Sequence, residues 1–143
     1  MCATRIDRAR ARMESDGVDA LLLSVGSDLP YFCGYEAMPL ERITMLVVPR
    51  EGDATLVVPE LEVPRVEERP DIFSIQGWGE TQDPIALIAE LAGPASNAAV
   101  GDPMRAGLCL LYPSDALVRP LFVYPVSCAV VTKHISILRP AHA

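Results

Sequence analysis

The stretch Leu29–Pro59, LPYFCGYEAMPLERITMLVVPREGDATLVVP, predicts the central elements of the structure. Asp28, directly before it, is a suitable N-cap for a short helix, which Gly34 would end by adopting a left-handed conformation. Two runs rich in β-branched residues follow, at 43–48 and 54–58, joined by five residues. This spacing predicts a β-hairpin closed by a loop of about five residues.

The rest of the first 104 residues alternates helical and extended patterns. Thr4 is a plausible N-cap for an amphipathic helix that stops at Gly17, and Asp83 followed by Pro84 begins a second helix that stops at Gly93. Further segments are expected as strands at 72–75, at 98–101 and at 19–24, where a buried helical turn is the alternative. Residues 60–68 have helical spacing, and Pro64 marks either the start of the helix or a break in it. Helices alternating with a mixed sheet predict a layered α/β domain, a mixed β-sheet with flanking helices.

Composition and charge exclude several classes of function. The 143 residues fit one domain, and a net charge of −7 without a basic stripe argues against nucleic-acid binding. The N-terminus lacks the apolar core of a signal peptide, and prolines and charges interrupt the longest apolar stretch, 106–131, so no membrane helix is expected. The four cysteines are widely spaced, which favours thiols in a reducing compartment, the cytoplasm.

The order of features around the hairpin resembles a known family. An aromatic-Gly-aromatic turn at 32–35, the Glu41-Arg42 pair and two apolar strands follow one another as in the creatinase/prolidase N-terminal domain. In M24-type Xaa-Pro aminopeptidases and dipeptidases, that domain precedes a pita-bread metallopeptidase domain. The resemblance, over roughly residues 4–104, implies an RNase H-like α/β fold. It also implies a non-catalytic domain that serves homodimer contacts and controls access of proline-containing peptides.

The chemistry of such a hydrolase would belong to a domain outside this sequence. The resemblance implies two divalent metal ions, such as Mn or Co, held there by two Asp, one His and two Glu. The histidines of this chain are His134 and His142, and neither has metal-ligand spacing to carboxylates. We therefore expect no cofactor on this chain and no peptide hydrolysis by it alone.

Two residues of the decisive stretch are candidates for substrate binding. In creatinase-like relatives an arginine just before this strand reaches a neighbouring subunit's active site, and the resemblance places Arg42 there, with Tyr35 beside it. An arginine can hold a carboxylate with two parallel hydrogen bonds. The alternative interpretation is that Arg42 pairs with Glu36 or Glu41 at the surface.

The other polar and reactive residues are more simply explained by structure. Cys33 has no evident histidine partner and is expected in the core. The segment 77–79, Gly-Trp-Gly, is expected to be a turn that seats one aromatic ring. A solvated helix face is the expected setting of four carboxylates, Glu60, Glu62, Glu67 and Glu68.

The last part of the chain differs in charge from the first. Residues 1–104 hold 8 basic and 18 acidic residues, whereas residues 105–143 hold 4 basic and 1 acidic. We predict a creatinase/prolidase N-terminal-like domain at 1–104 and a divergent tail at 105–143. A frameshift, a truncated remainder of the same domain or a genuine divergence would each account for the tail. If the chain acts by itself, the alternative function is a standalone interaction module that self-associates or binds a full-length paralogue.

Overall fold

The computed structural model describes residues 2–39, 41–95, 97–101, 121–122 and 133–136. Its helices are α1 (Cys2–Asp16), α2 (Asp28–Cys33) and α3 (Pro84–Ala92), with a 3-10 helix at Glu60–Arg65. Its strands are β1 (Ala20–Ser24), β2 (Met45–Pro49), β3 (Thr55–Pro59), β4 (Ser74–Trp78), β5 (Asn97–Val100), β6 (Leu121–Phe122) and β7 (Lys133–Ser136).

One mixed sheet joins the described strands in the order β4-β3-β2-β1-β5-β7-β6. β2 and β3 form the predicted antiparallel hairpin, with Met45 opposite Val57. β1 pairs antiparallel with β2 and parallel with β5, while β4 runs parallel to β3. The layered α/β architecture with a mixed sheet and flanking helices is therefore confirmed.

The two faces of the sheet bury separate apolar clusters. Successive strand side chains point to opposite faces, so Leu21 and Leu23 pack with α1 and α2, while Leu22 packs with Ile88 of α3. Full burial of one such aliphatic side chain contributes about 1.5–3 kcal/mol. β2 buries residues on both faces of the sheet, so the hairpin packs against both apolar clusters.

Of the three predicted N-cap residues, one is confirmed and two are wrong. The Oδ1 atom of Asp83 accepts hydrogen bonds from the N–H groups of Ile85 at 2.9 Å and Ala86 at 3.3 Å, so this N-cap is confirmed. Thr4 lies inside α1, because the helix already begins at Cys2. Asp28 is the first helical residue of α2 and Ser27 precedes it as the cap, so both of these N-cap predictions are wrong.

The segment after the hairpin differs most from its prediction. The helical pattern at 60–68 forms only a 3-10 helix with Pro64 inside it, consistent with the short length typical of such helices. The strand predicted at 72–75 lies further on, and it includes Gly77 and Trp78, so the predicted turn at 77–79 is wrong. Pairing explains the difference, because β4 runs alongside β3 until Trp78 stands opposite Pro59.

Strand pairing also continues beyond β5. β7 pairs antiparallel with β5, placing Ala98 opposite Ile135, and β6 pairs with β7. His134 lies in β7, whereas His142 and most of the segment 105–143 lie outside the described residues. The proposed boundary at residue 104 stays a prediction. Within the described ranges, no helix combines the length and apolarity that a bilayer crossing demands.

Candidate functional site

Both substrate-binding candidates lie in the connection between α2 and β2, here named the α2–β2 loop (residues 34–39 and 41–44). Gly34 begins it with a φ of 77°, a left-handed conformation that favours glycine, and its N–H donates to the carbonyl of Pro30 at 2.9 Å. The prediction that Gly34 ends the short helix in a left-handed conformation is confirmed. The chain then runs without regular structure to β2, so its side chains depend on neighbours for their positions.

Tyr35 is half-buried and is held by a carboxylate. Its hydroxyl donates to Oε2 of Glu62 at 3.1 Å, and Nη1 of Arg65 donates to the same oxygen at 3.0 Å. Burial raises the pKa of the Tyr35 phenol above its ordinary value of 10.0, and the hydrogen bond and charge of Glu62 raise it further. The phenol is thus a neutral donor to Glu62 at physiological pH.

Arg42 forms an ion pair with Glu80, so the alternative pairing with Glu36 or Glu41 is wrong in its partners. The reason is long-range: Nε1 of Trp78 donates to the carbonyl of Ile43 at 2.9 Å, which places the turn after β4 beside the start of β2. The two side chains are 43% and 75% exposed. Pairs this exposed contribute about 0–1 kcal/mol, so the guanidinium can exchange Glu80 for another carboxylate at small cost.

The structure brings Tyr35 and Arg42 to one cleft. Both line a small cavity of about 10 Å³, which is about the space of one water molecule, together with Thr44 of the loop and Glu62 of the 3-10 helix. A larger open hollow of about 290 Å³ adjoins it and is lined by Tyr35, Glu36 and Arg65, among others. Tyr35 borders both cavities, so a ligand in the hollow would lie next to this residue.

Sequence reasoning missed Glu62 and Arg65. Glu62 was grouped with solvated carboxylates, yet its side chain is only 18% exposed. Glu60, Glu67 and Glu68 are exposed, as predicted, but Glu67 and Glu68 lie beyond the 3-10 helix, so the predicted helix face does not include them. The spacing of Glu62 and Arg65, three residues apart, is a local signal for an ion pair on a helical turn. No local signal connects Glu62 to Tyr35, because 27 residues separate them.

Cys33 and the remaining acidic residues give no second site. The Cys33 thiol is buried in the core and donates to the carbonyl of Leu29 at 3.1 Å, so the packing prediction is confirmed. Among the residues that the structure describes, no group of three His, Cys, Asp or Glu side chains could hold a metal ion. The described donor set therefore does not fit the metal centre that the resemblance implies for the catalytic domain.

Comparison with known proteins agrees with this architecture. The family described as Creatinase/Prolidase N-terminal domain matches residues 5–110. The chain is 34% identical over 119 residues to a probable dipeptidase PepE of Mycobacterium tuberculosis, an alignment that covers 80% of this chain and 32% of that protein. The chain thus spans about a third of the length of the curated relatives it matches.

Two solved structures show the same fold. The dipeptidase PepE of Mycobacterium ulcerans matches with a TM-score of 0.68 and 36% identity, over 77% of this chain and 30% of that one. The N-terminal domain of an Xaa-Pro dipeptidase from Lactobacillus brevis matches with a TM-score of 0.67 and 21% identity, over 74% of this chain and 83% of that one. Because the family match covers most of the sequence and the fold agrees, this chain belongs to the creatinase/prolidase N-terminal domain family.

Proposed function

We propose that this chain is the non-catalytic N-terminal domain of an Xaa-Pro aminopeptidase- or dipeptidase-type metallopeptidase, where it provides subunit contacts and shapes substrate access. Family membership supports the parent class. The observation that carries the role of the domain is the meeting of Tyr35 and Arg42 at one cleft. The hydrolytic chemistry, with two divalent ions such as Mn or Co, is assigned to a separate catalytic domain. The widely spaced cysteines support a cytoplasmic location.

In this proposal Arg42 receives the carboxylate of a proline-containing peptide in the active site of a neighbouring subunit. The guanidinium offers paired donors that match a carboxylate, and its exposed pairing with Glu80 is easily exchanged. Tyr35 contributes its ring and its phenol oxygen at the adjoining hollow. Neither residue performs a bond-breaking step; both restrict how the peptide lies.

A chimera tests the proposal. Residues 5–110 would replace the matching N-terminal segment of the Mycobacterium ulcerans dipeptidase, and Xaa-Pro dipeptide hydrolysis would be measured with manganese or cobalt. Arg42→Ala is expected to raise KM about 10- to 100-fold with a smaller change in kcat, since a charge-assisted hydrogen bond contributes about 1.5–3 kcal/mol.

Arg50→Ala is the matched control, because Arg50 follows β2 as Arg42 precedes it, and its side chain is 42% exposed against 43%. Equal kinetics for the two variants would remove the substrate role of Arg42. Release of the first residue from an Xaa-Pro peptide by the full chain alone would overturn the non-catalytic assignment.

The second candidate is a standalone interaction module that self-associates or binds a full-length paralogue. Two large apolar side chains favour it, since Met38 is 54% exposed and Leu61 is 75% exposed, and they lie on the α2–β2 loop and the adjacent 3-10 helix. Exposed apolar side chains mark a contact surface when they form one contiguous patch. Light scattering on the full chain decides: a defined oligomer that Leu61→Ser dissociates supports the module, and a monomer contradicts self-association.

A further inference from the structure

Side chains from the segment 62–80 hold the α2–β2 loop along its length. At the start of the loop, Tyr35 donates to Glu62. In the middle, Nη1 of Arg65 lies 3.9 Å from the sulfur of Met38. At its end, Arg42 pairs with Glu80, and Trp78 donates to the carbonyl just before β2. Since the loop lacks regular structure, these contacts, together with the packing of Tyr35 and Ala37 against the first apolar cluster, determine where its side chains lie.

Glu62 is the point where the contacts at the start and middle of the loop converge. One of its oxygens, Oε2, accepts from both Tyr35 and Arg65. Arg65 in turn touches Met38, so a single carboxylate connects two loop side chains. A carboxylate oxygen is a stronger hydrogen-bond acceptor than a neutral oxygen, so the hydrogen bonds from the guanidinium and the phenol are strengthened.

The 3-10 helix that carries Glu62 packs closely against β4. Pro64 restricts the backbone of the 3-10 helix, and the helix packs closely on β4: a Cβ added at Gly77 would lie 3.0 Å from Cγ2 of Val63. Val66, directly after the helix, is buried in the core. The carboxylate is therefore carried on a segment that packs against β4, while Tyr35, the loop residue to which it bonds directly, packs partly against the first apolar cluster.

We infer that Glu62 is a positioning residue that fixes Tyr35, and through Arg65 also Met38, by accepting both hydrogen bonds on one carboxylate oxygen. Tyr35 thereby donates its hydroxyl proton to Glu62, so its phenol oxygen has only acceptor capacity left for a ligand. That Tyr35 meets a substrate rests on the proposed function; that Glu62 holds Tyr35 rests on the contacts alone.

Backbone ¹⁵N relaxation on the full chain tests the inference, with no peptide present. In the wild type, loop amides at 35–38 and 41–44 are expected near the order parameter of rigid backbone, about 0.85. Glu62→Ala is expected to lower those at 35–38 to below about 0.6, with the sheet amides unchanged. Glu62→Gln should restore most of the order, because its amide oxygen still accepts the two hydrogen bonds.

Glu68→Ala is the matched control, since it removes an exposed carboxylate from the same segment. Tyr35→Phe should loosen 35–38 as well and should add little in combination with Glu62→Ala, because both remove one interaction. Unchanged loop order in Glu62→Ala, or an equal loss in Glu68→Ala, would overturn the inference. A loosened loop together with normal kinetics of Arg42→Ala in the chimera would instead support the positioning role and reject the proposed function.

Discussion

Two arginines lie at opposite ends of β2 and form ion pairs with different parts of the structure. Arg50 follows β2 and pairs with Asp19 at 3.2 Å, while Arg42 precedes β2 and pairs with Glu80. Their exposures are nearly equal, at 42% and 43%, so exposure does not distinguish them. The difference lies in their partners, and it separates an ion pair that belongs to the framework from one that is available for exchange.

The partner of Arg50 is integrated into the sheet. Asp19 also accepts the N–H of Asn97 through Oδ2 at 3.1 Å, and its carbonyl accepts the N–H of Arg50 at 2.8 Å. Asp19 therefore fastens the start of β1 to both neighbouring strands. Glu80, by contrast, is 75% exposed and lies in a turn beyond β4. The comparison predicts that changes at the Asp19 end alter stability and that changes at the Glu80 end alter mainly the loop.

The largest expected effect on stability is that of Asp19→Ala. This substitution leaves the N–H of Asn97 without its side-chain acceptor and removes the partner of Arg50, so it should lower the free energy of unfolding by about 2 kcal/mol. Urea denaturation followed by circular dichroism measures it. An effect no larger than that of Glu80→Ala would abolish the distinction between the two ends of β2.

Trp78→Phe should have an intermediate effect at the Arg42 end. The substitution keeps the aromatic packing against the second apolar cluster but removes the donor to the carbonyl of Ile43, at a cost of about 1 kcal/mol. The turn that carries Glu80 should then move away from Arg42, which ¹⁵N relaxation of the amides at 41–44 would register. If those amides keep their order, Trp78 does not set the position of the turn.

Sequence patterns predicted short-range features well and contacts between distant residues poorly, for a physical reason. Gly34, the Asp83 cap and the hairpin depend on residues within a few positions of one another, and such signals are visible in a linear pattern. The contacts of the cleft join residues far apart: 38 positions separate Arg42 from Glu80. The Arg42–Glu80 pair forms because β4 lies parallel to β3, and the parallel register of β4 is not deducible from its own residues.

The grouping of Glu62 with solvated carboxylates failed for the same reason. Its neighbours in sequence, Glu60 and Leu61, are exposed, and nothing local shows that a phenol from the α2–β2 loop covers it. Similarly, Gly77 and Trp78 read as a turn by residue type, although strand pairing extends through both. Tertiary contacts decided these positions over local preference.

Tyr35 provides a smaller, pH-dependent test at the cleft. Its pKa is raised in the folded state by burial first and by Glu62 second, so the unfolded chain releases this proton first as pH rises through about 10. The free energy of unfolding should be independent of Tyr35 below that pH and should fall between the unfolded and folded pKa values. Tyr35→Phe should remove that part of the decline, as measured by urea denaturation at successive pH values above 9. An identical decline in the wild type and Tyr35→Phe would contradict the raised pKa of Tyr35.

Glu80→Ala should have the smallest effect on stability and is the sharpest test of exchange. The pair with Arg42 is exposed on both sides, so its loss should lower the free energy of unfolding by less than about 0.5 kcal/mol, and screening at high salt should remove even that. In the chimera the same substitution should lower KM slightly, because Glu80 no longer competes with the peptide carboxylate for Arg42. A raised KM would mean that Glu80 holds Arg42 in its binding position, and Glu80→Gln would then be expected to restore the wild-type value. The direction of the change in KM therefore tells whether the exposed pair opposes peptide binding or prepares for it.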